Sequence, residues 1–141
     1  MGKAFNENSM SNPHKSFFET EIDRLYKNGP FSSKMYVQVR QSKAFMEKFY
    51  MKKIELDDMA KAAFLSRFHY VRVFRRMYGL TPRAYLRDIR ISKAKELLKN
   101  GEAITTVCFE VGYDSLSTFS SVFKKCAGCT PKEYQLRNKA I

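Results

Sequence analysis

The spacing of apolar residues predicts two pairs of helices. A short stripe at i, i+3, i+4 and i+7 occurs twice, as Leu56, Met59, Ala60 and Ala63 and as Ile104, Val107, Cys108 and Val111. Such spacing places all four side chains on one helical face. A second stripe follows each of them, as Tyr70, Val73, Phe74 and Met77 and as Phe119, Val122, Phe123 and Cys126. We expect all four stripes to lie in the protein core.

The two helix pairs are copies of one unit. Residues 66–76, with the Gly79 and Thr81-Pro82 that follow, return at a constant offset of 49 residues. Ser66 and Ser115 open the long helices, where a hydroxyl can accept a hydrogen bond from the free amides of the first turn. A short helix, a tight turn and a longer helix form a helix-turn-helix, whose second helix lies in the major groove of DNA. The duplication therefore predicts two such modules in one chain.

The remaining pattern organises the chain into an all-α protein of about seven helices plus a short N-terminal helix. Thr81-Pro82 starts a linker helix that ends at Asn100-Gly101 and is about 27 Å long at roughly 1.5 Å per residue. A helix within residues 35–52 is expected to pack on the first module. The predicted boundaries are 1–34 for a partly flexible extension with a short helix near 17–27, 35–138 for the domain, about 56–78 for the first module, about 82–99 for the linker helix and about 104–127 for the second module.

The charge of the chain points to a polyanionic partner. It has 26 Lys and Arg against 14 Asp and Glu, a net charge of +12 and a pI near 9.7. Residues 66–99 hold ten of the basic residues and two acidic ones. A one-sided positive field is what phosphate binding needs. Charge alone leaves two classes open, a sequence-specific DNA reader and a non-specific basic protein that binds DNA or RNA.

Other functions find little support in the sequence. No Gly-rich phosphate loop, metal-ligand spacing or nucleophile with its base is present, so we expect no enzyme, no catalytic residue, no cofactor and no metal. Cys126 and Cys129 have C-x-x-C spacing, but they match Met77 and Leu80 of the first copy, and we expect both to be packing residues. Without an apolar run of membrane-spanning length or a secretion signal, a cytoplasmic protein that contacts no membrane is expected.

The outward faces of the two long helices supply the candidate contacts. Arg72 can offer two donors to guanine, and Phe68 and Val71 can meet thymine methyl groups. The alternatives are a phosphate contact for Arg72 and packing against a neighbouring helix for Phe68 and Val71. The full base-reading set is Phe68, Val71, Arg72, Arg67, Ser117, Ser120, Ser121 and Leu116. The phosphate-binding set is Ser66, Arg75, Arg76, Ser115, Thr118, Lys124 and Lys125.

Three stretches carry a family resemblance. Residues 90–98, residues 104–113 and Ser120-Ser121-Val122-Phe123-Lys124-Lys125, followed by Gly128 and Thr130-Pro131-Lys132-Glu133-Tyr134, resemble the signature of the AraC/XylS transcription regulators. The resemblance implies a seven-helix domain that reads promoter DNA through both modules and usually activates transcription, with RNA polymerase as a further partner. By position it implies base reading by Phe68, Val71 and Arg72 and by Ser117, Ser120 and Ser121. The chain is similar to small stand-alone members. Because it carries both helix-turn-helix modules itself, we expect that a monomer can bind one site on DNA.

Overall fold

A computed structural model describes residues 33–139, so the short helix predicted near residues 17–27 lies outside the described residues. Within them the chain forms seven α-helices and no strand, which confirms the all-α prediction. The helices are α1 (Ser33–Phe49), α2 (Leu56–Ala62), α3 (Arg67–Tyr78), α4 (Pro82–Lys99), α5 (Ile104–Glu110), α6 (Leu116–Ala127) and α7 (Pro131–Asn138). The first helix-turn-helix is α2 with α3, and the second is α5 with α6.

Local capping sets the ends of the long helices. The Ser66 hydroxyl accepts a hydrogen bond from the His69 amide at 3.4 Å, and the Ser115 hydroxyl accepts one from the Thr118 amide at 3.3 Å. Both serines are therefore N-caps, as the sequence predicts. Thr81 does the same for α4, which spans the predicted linker helix residue for residue. Gly79 ends α3 in the left-handed region at φ 75°, a conformation that costs glycine little.

The linker helix α4 belongs to both hydrophobic cores. Leu86, in its first half, packs with α1, α2 and α3, whereas Ile91, Ala94 and Leu98 pack with α5 and α6. Phe74 and Phe123 are fully buried in the first and second cores respectively, as predicted. Because one continuous helix contributes to both cores, the two modules are held on a common support.

The prediction for Cys126 is wrong. Its counterpart Met77 is 2% exposed in the first core, but Cys126 is exposed on α6. The first module is covered by the 17-residue α1, whereas the second module packs against α7, which has only 8 residues. The last turn of α6 consequently has less protein above it. Cys129 is buried as expected, so the two thiols of the C-x-x-C motif occupy different environments.

Candidate nucleic-acid interface

The outward face of α3 is open to solvent along its length. Phe68 is 82% exposed, which rules out the alternative that it packs against a neighbouring helix. Val71 is half-buried beside it. The basic residues Arg67, Arg72, Arg75 and Arg76 are also exposed. Helix α3 contains no acidic residue, so this face combines positive charge with an exposed aromatic ring.

The outward face of α6 has the same geometry but different chemistry. At the positions of Phe68, Val71 and Arg72 it carries Ser117, Ser120 and Ser121. Ser117 and Ser121 are exposed and Ser120 is half-buried. Leu116, Thr118, Lys124 and Lys125 complete the exposed set. This helix also lacks acidic residues, and its charge comes from two lysines near its C-terminal end. Hydroxyls on α6 therefore replace the arginine and apolar groups on α3.

An ion pair between the two helices of the first module holds Arg67. Its Nε and Nη2 donate to Asp57 Oδ1 and Oδ2 at 2.8 and 2.7 Å. The hydrogen bonds from Arg67 lower the pKa of the Asp57 carboxyl. The corresponding positions in the second module are Thr105 and Leu116, which cannot form this pair. A direct base contact by Arg67 would have to replace this bidentate ion pair. Periodicity could not predict the pair, because Asp57 and Arg67 lie on different helices.

Buried polar contacts fix α1 against α3. The Ser42 hydroxyl donates to the Val39 carbonyl at 2.6 Å and lies 2.8 Å from the Tyr70 hydroxyl. Burial raises the pKa of Tyr70 to about 12, because the phenolate would lose its hydration. Arg67 and Arg72 project from the opposite face of α3. The Ser42–Tyr70 contact therefore holds α3 in place through its buried face and leaves its outward face free.

A third feature lies where the two modules meet on α4. The Arg90 guanidinium donates from Nε to the Tyr50 carbonyl at 2.8 Å and from Nη2 to the Lys52 carbonyl at 2.9 Å. Its central carbon lies 5.4 Å from the centroid of the Tyr113 ring. Burial lowers the pKa of Arg90 and raises that of Tyr113. A cleft of about 430 Å³ opens beside this junction and includes Arg67, Arg83 and Arg87 in its lining.

Other kinds of site find no support among the described residues. Residues 33–139 contain no group of three or more His, Cys, Asp or Glu side chains placed to hold a metal ion. Over the same range, every helix is too short or too polar to span a membrane. The exposed faces of α3 and α6 carry the candidate DNA-contacting side chains in the part of the chain that the structure describes.

Comparison with known proteins decides the family. A family model described as a helix-turn-helix domain matches residues 59–137, which takes in nearly all of both modules and the whole linker helix. This chain belongs to the AraC family of transcriptional regulators. The uncharacterized HTH-type transcriptional regulator YdeC of Bacillus subtilis is 38% identical over 102 residues, which are 72% of this chain and 35% of that protein. ExsA of Pseudomonas aeruginosa is 32% identical over 94 residues, 66% of this chain and 34% of ExsA.

Solved structures agree with this assignment. The C-terminal domain of AraT, a response regulator from Geobacillus stearothermophilus, superposes with a TM-score of 0.71 at 27% identity and covers 74% of this chain and 88% of that domain. The DNA-binding domain of AdpA, solved in complex with a target DNA, shares the fold with a TM-score of 0.67 at 22% identity, over 70% of this chain and 90% of that one. The AraC-family chain spans about a third of the length of the curated relatives it matches.

Proposed function

We propose that this protein is a sequence-specific regulator that binds double-stranded promoter DNA and activates transcription, with α3 and α6 in successive major grooves. The observation that carries the proposal is the pairing of α3 with α6. Both helices begin at a serine N-cap, expose one face without an acidic residue and rest on the same linker helix. A non-specific basic protein needs no such pair of equivalent helices.

The exposed chemistry favours the first module as the main reader of bases. Arg72 is an exposed arginine that can reach guanine O6 and N7 with two donors, and Phe68 offers a large apolar surface to a thymine methyl group. The equivalent residues of α6 are hydroxyls, which can bond to any base edge and discriminate less. Arg75, Arg76, Lys124 and Lys125 lie later on their helices, where phosphate contacts would position the protein without reading sequence.

The relatives support a regulatory role. One is the virulence regulon transcriptional activator VirF of Yersinia enterocolitica, which is 32% identical over 93 residues, and another is the HTH-type transcriptional activator RhaR of Mannheimia succiniciproducens, which is 37% identical over 67 residues. Because both of these relatives are named as activators, we infer that this protein activates transcription. We further propose RNA polymerase as its protein partner and the cytoplasm as its location. No step of the proposal needs a catalytic residue or a cofactor.

The length of α4 makes the proposal geometrically specific. Its 18 residues span about 27 Å, whereas successive major grooves on one side of the duplex are about 34 Å apart. We call the recognition helices α3 and α6 the first and second heads. One chain can therefore bring both heads to one asymmetric site of roughly two helical turns, with some bending of the DNA. A dimer is not needed for the second head.

The decisive test begins with selection of bound fragments from genomic DNA. At about 0.15 M salt, a specific complex should survive competition by bulk DNA or heparin, whereas a purely electrostatic one should not. Inserting about five base pairs between the half-sites should move one head to the wrong side of the duplex. Inserting about ten base pairs should restore the side but exceed the reach of α4. Full recovery of affinity with the longer insertion would show that two separate chains bind.

A further inference from the structure

The junction on α4 connects the end of α1 to the second module. Arg90 lies between Leu86, which packs in the first core, and Ile91, which packs in the second. Its two hydrogen bonds go to carbonyls of Tyr50 and Lys52, in the segment that follows α1. A planar guanidinium can hold two such acceptors in a fixed direction, which a lysine ammonium cannot do. Arg90 therefore ties the linker helix to the first module.

The turn between α5 and α6 in the second module packs against Tyr50 and Arg90. A Cβ atom added to Gly112 would lie 2.7 Å from the Tyr50 carbonyl oxygen and 3.0 Å from Arg90 Nε. The next residue, Tyr113, places its ring beside the guanidinium. Because α6 begins three residues later, at Leu116, the direction of the second recognition helix depends on how this turn is seated.

We propose that Arg90 is a positioning residue that fixes the angle between α3 and α6 and thereby selects the spacing of the two half-sites. This inference rests on the proposed function. The half of α4 that follows Arg90 has 9 of its 18 residues and is about 14 Å long. A tilt of roughly 15° at Arg90 would therefore displace the second recognition helix by about 4 Å. One base-pair step rises only about 3.4 Å. A loosened junction would therefore let the protein accept sites whose half-sites are one base pair closer or farther apart.

Two variants loosen the junction by different routes. Arg90→Lys keeps the positive charge but loses the planar pair of donors that bonds to the Tyr50 and Lys52 carbonyls. This variant therefore distinguishes a positioning role of Arg90 from simple attraction to DNA phosphates. Gly112→Ala keeps the arginine side chain but adds a methyl group that crowds both the Tyr50 carbonyl oxygen and the Arg90 guanidinium. Gly101→Ala is the matched control, since Gly101 has φ +85° and Gly112 has φ +103°, yet a Cβ on Gly101 meets nothing within 4 Å. Arg83→Gln controls for charge, because it removes an exposed arginine from the same helix.

The first measurement compares affinities for the selected site and for sites lengthened or shortened by one base pair. We expect Arg90→Lys and Gly112→Ala to reduce the preference for the selected spacing about tenfold, the scale of one lost base-pair contact. Affinity for an isolated first half-site should stay unchanged. Gly101→Ala and Arg83→Gln should keep the full spacing preference. If Arg90→Lys keeps it as well, Arg90 contributes charge alone and the proposal is wrong.

The second measurement needs no DNA. Spin labels on the exposed Cys126 and on an introduced Lys61→Cys report the distance between the modules. We expect a narrow distance distribution in the otherwise unaltered protein and in Gly101→Ala, and a broad or shifted one in Arg90→Lys and Gly112→Ala. An unchanged distribution in both junction variants would overturn the inference. Failure of the proposed function would appear differently, as a protein without preference for any DNA sequence.

Discussion

Two phenylalanines on α3 allow binding to be separated from folding by the same substitution. Phe74 is fully buried, and its ring centroid lies 5.8, 4.8 and 5.7 Å from those of Tyr70, Tyr78 and Tyr85. Phe68, six residues earlier, is 82% exposed. We predict that Phe74→Ala destabilises the protein without a specific effect on DNA contacts, and that Phe68→Ala does the reverse.

The expected loss at Phe74 follows from its surroundings. Truncating a buried phenylalanine to alanine lowers the free energy of unfolding by about 3–5 kcal/mol. Because Phe74→Ala also loses three aromatic ring contacts, we expect a value in the upper half of that range. In a domain of about 100 residues, roughly 1 kcal/mol lowers the melting temperature by about 4–8 °C. We therefore expect Phe74→Ala to melt at least about 16 °C lower. Phe123→Ala in the second core should behave in the same way, since Phe123 is also fully buried.

The loss at Phe68 should appear only in DNA binding. A phenylalanine side chain presents roughly 150–250 Å², so 82% exposure leaves about 160 Å² free in the folded protein. Burial of half that area against DNA, at about 25 cal/mol per Å², contributes roughly 2 kcal/mol. This corresponds to about a 30-fold change in affinity. The melting temperature should fall by no more than about 3 °C, because little packing is lost.

Thermal melts by circular dichroism and fluorescence anisotropy on the selected site measure the two effects. Binding should be measured well below the melting temperature of Phe74→Ala, so that both variants are folded. Equal melting temperatures for the two variants would refute the placement of Phe68 on the outward face and Phe74 in the core. Unchanged affinity of Phe68→Ala would refute the proposed contact with DNA.

Three further predictions concern one site each. Arg72→Ala should cost about 1–3 kcal/mol on the selected DNA and relax preference at one or two base pairs, whereas Lys124→Ala should weaken all sequences alike, which parallel binding selections can test. Tyr70, with a pKa raised to about 12, favours the fold while neutral. That stability is present below about pH 10 and is lost towards pH 12. Urea titrations should therefore show stability falling more steeply for the unaltered protein than for Tyr70→Phe, and parallel slopes would contradict this. Phe64→Gly should raise the melting temperature by several degrees, because Phe64 has φ 55° and is 76% exposed.

The turns of the two helix-turn-helix modules differ at one strained backbone position, which is why Phe64→Gly should stabilise the protein. Phe64 and Gly112 occupy the same position relative to their short helices, and both have positive φ. Only the second copy has the residue that adopts this conformation without cost. A phenylalanine kept there and exposed to solvent therefore lowers stability at that turn. A lower melting temperature for Phe64→Gly would show that the ring makes a stabilising contact despite its exposure.

The starts of α3, α4 and α6 were predictable because their signals are local, whereas the helix expected within residues 35–52 spans Ser33–Phe49. Ser66, Thr81 and Ser115 are followed within three residues by the amides they cap, so short stretches of sequence contain both partners. The buried face of α1 was harder to predict. It includes Tyr36, Val39 and the polar Ser42, rather than a run of apolar residues. Ser42 is tolerated in the core because its hydroxyl pairs with Tyr70, 28 residues away, a partner that periodicity does not reveal.

At the candidate interface, too, features that depend on local sequence were predictable and contacts between different helices were not. Repetition and periodicity predicted which faces of α3 and α6 point outward, because that depends on position within each helix. Neither could predict the Arg67–Asp57 pair or the contacts of Arg90, because these join residues from different helices. The exposure of Cys126 likewise depends on how much of α6 another helix covers. The DNA contacts of the individual residues remain predictions.

The unequal chemistry of the two heads explains why their spacing should matter. On the proposed function, α3 supplies the arginines and the aromatic ring, while α6 supplies short hydroxyls that distinguish bases weakly. A recognition helix that discriminates bases weakly still adds specificity if it can reach the DNA at only one distance from the first half-site. At a site with the wrong spacing, α6 then loses all of its DNA contacts at once. That requires a rigid connection between the heads, because a flexible one would let α6 follow any register at little cost. The tie through Arg90 supplies the rigidity where the two cores meet on α4, so the second head can act mainly as a measure of distance along the DNA.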